Sequence, residues 1–218
     1  MTVAELHEIF LSAEFKTGLE QLSSYLASIM QEGPIVHLLA KCLWNQSHLY
    51  ALERNKRHDL TVWAPSSTAR KIETSIEFKF NYDTCAERLR IELNRLVKAL
   101  EGGTPERPTK ESGYDVMPRI FKDVCAKKPD IFIWIICSRD LSGINADQLE
   151  RIVNWKPLKK LRRTHPFKAD REFLTPIDAL LHFLQRIRPF SIVESEIETN
   201  GYFPSVYHFR ICEFLKAT

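Results

Sequence analysis

Residues 58–80, HDLTVWAPSSTARKIETSIEFKF, decide how the chain is read. Two apolar runs flank a Pro/Ser/Thr loop. In TSIEFKFN (74–81) apolar and polar residues alternate strictly, the period of a half-buried strand. Ile76, Phe78 and Phe80 fall on one face, with Ser75, Glu77, Lys79 and Asn81 on the other. The earlier run, HDLTVW (58–63), predicts a neighbouring strand whose Leu60 and Val62 join the apolar face, leaving Asp59 with Glu77 and Lys79. Residues two apart on a strand project together, with Cβ atoms about 7 Å apart, so two carboxylates and an ammonium are concentrated in a small volume.

Working outward, SHLYALER (47–54) predicts a further strand, joined to 58–63 by the turn NKR. Before it, Gly33-Pro34 starts a helix with Ile35, Leu38, Leu39 and Leu43 on its apolar face. Residues 1–31 are expected to be helical, with Leu6, Phe10, Leu19, Leu22 and Leu26 at near-helical spacing and Gly18 as the break. After the third strand, Thr84 and Glu87 form a capping-box pattern ahead of a Leu89, Leu93, Leu96, Val97, Leu100 stripe that Gly102-Gly103 ends. Residues 103–113, GTPERPTKESG, read as a loop. DIFIWIICS (130–138) is continuously apolar, as in a strand buried on both faces. Asn145 and Gln148 cap a short helix, Thr175-Pro176 opens another, and two strands are expected over 190–198 and 205–214. No repeat, low-complexity segment or clear linker divides the chain. The expectation is a single α/β domain over 32–218, with a helical N-terminal addition over 1–31.

With 44% hydrophobic and 27% charged residues, a globular core is expected rather than disorder. Five cysteines, an odd number with no CxxC pair, argue against a disulfide framework or a structural zinc site and for buried thiols in a reducing compartment. The N-terminus lacks the basic and apolar regions of a secretory signal, and IFIWIIC (131–137) falls far short of the ~20 residues that span a bilayer. A soluble cytoplasmic protein with no membrane partner is expected. There is no phosphate-binding GxxxxGK[ST] loop, no GxGxxG and no GxSxG elbow, and the seven histidines form no HxH or HxxxH pair. His58, adjacent to Asp59 on a strand, is expected to point to the opposite face in a structural role.

Two carboxylates can hold a hard divalent ion such as Mg²⁺, which keeps several waters and bridges to a phosphate oxygen. Such an ion lowers the pKa of a bound water and neutralises charge developing on phosphorus, while Lys79 orients or deprotonates the water or stabilises the pentavalent transition state. This chemistry suits phosphodiester hydrolysis and has little use in hydride or acyl transfer.

With Asp59 on the second strand and Glu77-Phe78-Lys79 on the third, residues 32–138 resemble the PD-(D/E)XK nuclease superfamily, the restriction-endonuclease-like fold. The family's core runs helix, three-stranded meander, helix, strand. The resemblance implies a mixed central sheet flanked by helices and a Mg²⁺-dependent endonuclease cutting DNA phosphodiesters, possibly of restriction type, with Mn²⁺ as a substitute ion. It implies Asp59, Glu77 and Lys79 as catalytic residues, Asp59 and Glu77 as metal ligands, and the Phe78 carbonyl as a further ligand. Many members add a glutamate from the first helix: Glu32 is the candidate and Glu53 its competitor. His58 stands where the family often has proline. Pro129-Asp130 has no acid-x-lysine downstream, and Glu14-Phe15-Lys16 repeats the tripeptide in a helical segment. The family often works as a dimer so that both strands are cut, which implies a homodimer here.

The basicity of the chain is local. Residues 151–171 hold eight Lys or Arg against one acid, Asp170, a surplus of +7 in a chain of net charge +3, leaving −4 elsewhere. Lys156, Lys159, Lys160, Arg162, Arg163 and Lys168 are the expected phosphate contacts, with Trp155, His165 and Phe167 placed to stack on bases or sugars. Two other readings stay open at this point: a binding module that holds nucleic acid without cutting it, and an interaction protein whose sheet face only resembles a site.

Overall fold

The apolar run becomes β4 (Ile131–Arg139), an interior strand of a six-stranded mixed sheet in the order β1-β2-β3-β4-β6-β5. The structure, a computed structural model, describes residues 1–25, 32–46, 49–52, 58–63, 72–83, 85–101, 116–139, 172–201 and 204–215. The other strands are β1 (Leu49–Leu52), β2 (Leu60–Trp63), β3 (Ile72–Tyr82), β5 (Phe190–Thr199) and β6 (Ser205–Phe214). β1, β2 and β3 form an antiparallel meander, β3 runs parallel to β4, and β6 is antiparallel to both β4 and β5.

Helices cover both faces, which is why β4 is apolar at consecutive positions. Ile131, Ile133, Ile135 and Cys137 pack with Ile76, Phe78 and Phe80 of β3 against α1 (Val3–Leu11), α2 (Ala13–Tyr25) and α3 (Glu32–Asn45). Phe132, Trp134 and Ile136 face α4 (Cys85–Leu100), α5 (Val116–Phe121) and α6 (Thr175–Ile187). A parallel β3–β4 pair requires a crossover, and α4 and α5 lie in that connection. Each fully buried aliphatic or aromatic side chain in these two layers contributes about 1.5–3 kcal/mol of transfer free energy.

The N-terminal helices belong to the first layer. Thr2 and Glu5 form a capping box at α1, and Phe10 stacks on Phe209 of β6 at 4.7 Å between ring centroids. The break between α1 and α2 falls at Ser12 and not at Gly18. Gly18 lies inside α2, where a Cβ would sit 2.3 Å from Leu38 Cδ1; the glycine lets α2 approach α3 closely. Val97, expected on the apolar stripe of α4, is half exposed.

All five cysteines are free thiols. Among the described residues no helix is long and apolar enough to cross a membrane. Thr84, Gly102, Gly103, the 103–113 loop, the helix expected near Asn145, Glu53 and the whole basic segment 151–171 lie outside the described residues.

Candidate active site at the open edge of β3

The site begins where β2 leaves β3. Among the described residues their pairing ends at Leu60↔Ile76, whereas β3 continues beside β4 as far as Tyr82↔Cys137. On the β4 side, the Ser75 carbonyl accepts the Asp130 N–H at 3.0 Å. Backbone groups alternate in direction along a strand, so odd-numbered residues of β3 bond toward β4 and even-numbered ones face the other edge. Past Ile76 that edge is completed by carboxylates. Asp59 Oδ2 accepts the Phe78 N–H at 2.7 Å, and Glu32 Oε2 accepts the Phe80 N–H at 2.8 Å. The Phe78 carbonyl leaves β3 on the same side as its N–H, toward these two acids.

His58 and Asp59 therefore precede β2 and are not part of it, contrary to the sequence reading. Strand alternation does not govern them. Asp59 reaches the backbone of β3, and His58 Nδ1 lies 3.9 Å from Glu77 Oε2 instead of facing away. Glu32 opens α3, the helix packed on the opposite face, and reaches round the sheet edge to Phe80.

Glu77 and Lys79 project from the other face of β3, as their alternation with Phe78 predicts. Glu77 is only 2% exposed. Its Oε1 accepts a hydrogen bond from the Lys127 ammonium, and its Oε2 accepts none among the described residues. Lys79 Nζ stands 3.7 Å from Glu32 Oε2 and 4.0 Å from Asp123 Oδ2. The other oxygen of Asp123 is 3.4 Å from Lys127 Nζ. The result is a chain of alternating charge, Glu32–Lys79–Asp123–Lys127–Glu77, with Asp59 close enough to raise both glutamates.

Asp123 and Lys127 were not singled out by the sequence reading. Asp123 lies in a π-helical turn, Lys122–Ala126, that follows α5, and Lys127 caps the end of that turn. Arg188 clamps this turn: its guanidinium donates to the Val124 carbonyl at 2.9 Å and the Pro129 carbonyl at 2.7 Å, and rests 3.6 Å over the Phe214 ring. Lys128, at the exit, takes the left-handed backbone conformation (φ 52°) that a non-glycine residue rarely adopts. The available signal was an acid and a lysine four apart in KDVCAK (122–127), just before a fully buried strand.

Burial pushes the Glu77 carboxyl up to about 8 against the opposing hydrogen bond from Lys127, and the charges of Asp59 and Asp123 add to the rise. Burial likewise raises Glu32, ahead of the opposing pull of Lys79. For Lys127, burial favours the neutral amine, but the Glu77 hydrogen bond and the surrounding carboxylates outweigh it, and its pKa rises. With His58 neutral and the other groups ionised, four carboxylates (Glu32, Asp59, Glu77, Asp123) meet two ammoniums (Lys79, Lys127), a net charge of −2.

That surplus, the hard oxygen donors and the buried Glu77 Oε2 fit a divalent cation. Among the described residues no group of three or more His, Cys, Asp or Glu side chains is arranged to hold a metal ion as it stands, and the Lys127 ammonium already lies on Glu77 Oε1. Comparison of this chain with protein-family models, with curated proteins and with solved structures gave no match.

Proposed function

We propose that this protein is a metal-dependent endonuclease that hydrolyses DNA phosphodiesters, with Asp59, Glu77 and Lys79 as its catalytic residues. The observation that carries the reading is that Asp59 and Glu32 cap the edge of β3 past its last pair with β2, with Lys79 3.7 Å from Glu32 and Asp59 close enough to raise the Glu77 carboxyl. The order α3, β1–β2–β3 meander, α4, β4, with β3 parallel to β4, supports a restriction-endonuclease-like core.

Asp59, Glu77 and the Phe78 carbonyl would hold Mg²⁺ or Mn²⁺, with Glu32 beside them, and the bound ion would supply a Lewis acid and an acidified water. Lys79, held between Glu32 and Asp123, keeps its ammonium beside the carboxylates. From there it orients the attacking water or takes up charge that builds on phosphorus. Asp59 and Glu32 are fixed by the β3 backbone before any substrate arrives, so little side-chain reorganisation is required of them. The basic segment 151–171 is the proposed DNA-contacting surface, and a homodimer would bring two such centres to the two strands.

Supercoiled plasmid incubated with the protein and Mg²⁺, Mn²⁺ or EDTA tests the reading. Nicking is expected with either metal, none in EDTA, and a loss of ~100-fold or more in Lys79→Ala and Glu77→Ala. DNA retained on a filter but uncut under every condition would instead assign a binding module, and nicking that persists in both variants would place the chemistry elsewhere.

A further inference from the structure

We propose that Lys127 is the resident counter-cation of Glu77, and that it yields this carboxylate to a divalent ion by turning to Asp123. The inference rests on the proposed function of the same site and assigns a role to a lysine outside the acid-x-lysine tripeptide.

A charge on Glu77 is almost fully withdrawn from water, and a buried carboxylate without a partner is strongly destabilising. Among the described residues the Lys127 ammonium is the hydrogen-bond donor to it. An ion entering the site therefore meets Glu77 already occupied on one oxygen. Lys127 has a second acceptor within reach, Asp123 Oδ1 at 3.4 Å from its Nζ. Passing the ammonium from Glu77 to Asp123 needs only side-chain rotation on a flexible stem. The backbone beneath is held by Arg188 through the Val124 and Pro129 carbonyls. With Glu77 ionised and His58 neutral, the four carboxylates and two ammoniums carry −2, which one divalent ion neutralises while both ammoniums stay. Lys127 would thus hold the metal-free site together at the cost of metal affinity.

The test is Mn²⁺ binding to the full chain, stripped with EDTA and re-buffered, by titration calorimetry and by thermal unfolding. Wild type, Lys127→Met and Lys127→Arg are compared. Lys127→Met should bind Mn²⁺ ~10-fold or more tightly than wild type, the range of a lost hydrogen bond to a charged group. Its metal-free melting temperature should fall and recover with Mn²⁺. Lys127→Arg, which keeps the charge, should stay near wild type. Lys127→Gln keeps a hydrogen bond to Glu77 without the charge and gives the same reading if the Met variant does not fold. Equal or weaker binding in the uncharged variants, or equal tightening in Met and Arg, would overturn the counter-cation role and leave the nuclease reading standing. Failure of all forms, wild type included, to bind Mn²⁺ would overturn the metal centre and both proposals with it.

Discussion

Glu77→Gln should make the metal-free protein more stable at neutral pH while removing the proposed nuclease activity. Glu77 is 2% exposed and burial raises its carboxyl from 4.5 to about 8. Between these values the folded chain holds a proton that the unfolded chain releases. The stabilisation from that proton is complete below 4.5 and is lost as pH rises through 8, so stability falls across the window. One pKa unit corresponds to about 1.4 kcal/mol, so Glu77 alone removes about 3 kcal/mol between pH 5 and pH 7. Glutamine has the same shape and still offers a carbonyl to Lys127, but folding it requires no proton to be taken up.

Allowing for a weaker bond to Lys127, Glu77→Gln should gain about 2 kcal/mol at pH 7.5 in EDTA, or roughly 4–8 °C in melting temperature for a chain of this size. The assay is thermal unfolding by circular dichroism at pH 5, 6, 7 and 8, with and without 10 mM Mg²⁺ (an assay concentration, about ten times a millimolar dissociation constant). At that loading Mg²⁺ should stabilise wild type by about 1.4 kcal/mol and the glutamine variant hardly at all. Wild-type and variant profiles that run parallel across pH, or a variant less stable at pH 7.5, would refute the claim that Glu77 is held in an unfavourable buried state.

Gly18→Ala should destabilise by about 1 kcal/mol, the Leu38 overlap outweighing the helix propensity gained, and adding Leu38→Ala should relieve it; denaturant unfolding of the double-mutant cycle measures the coupling. Arg188→Ala removes two charge-assisted hydrogen bonds and the contact with Phe214, so a loss of about 2–3 kcal/mol is expected, together with faster hydrogen exchange in 122–130. Neutralising Lys159, Lys160, Arg162 and Arg163 together should weaken DNA binding and flatten its salt dependence by about four phosphate contacts; an unchanged slope in a salt series would remove 151–171 from the interface.

The sheet was legible because its strands obey simple periodicities. β3 alternates, β4 is apolar throughout, and β5 and β6 flank a turn-rich segment; the structure has strands in each of these places. The misreadings are local. Gly18 looked like a break because glycine is a poor helix former, yet here the missing side chain serves packing of α2 against Leu38. His58 and Asp59 looked like strand residues because an apolar run follows them, whereas β2 starts at Leu60. No single-strand pattern reveals that the pairing of β2 with β3 ends at Leu60↔Ile76, and that end decides what Asp59 can touch.

The same limit explains Asp123 and Lys127. Residues that meet through a sheet are visible in sequence when the strands carry them at the right parity, as for Glu77 and Lys79. Asp123 and Lys127 reach the site from within and at the cap of a π-helical turn, whose wider winding shifts side chains away from the positions an α-helical pattern would assign. Their placement depends on Arg188, more than fifty positions downstream, holding the Val124 and Pro129 carbonyls. Yet a buried acid such as Glu77 demands compensation from somewhere. Once Glu77 is placed on the covered face of β3, it must either hold its proton or meet a cation other than Lys79, which is directed to Glu32 and Asp123. The sequence supplies that demand without supplying its answer, and the answer came from the segment just ahead of β4, the strand that pairs with the site-bearing half of β3.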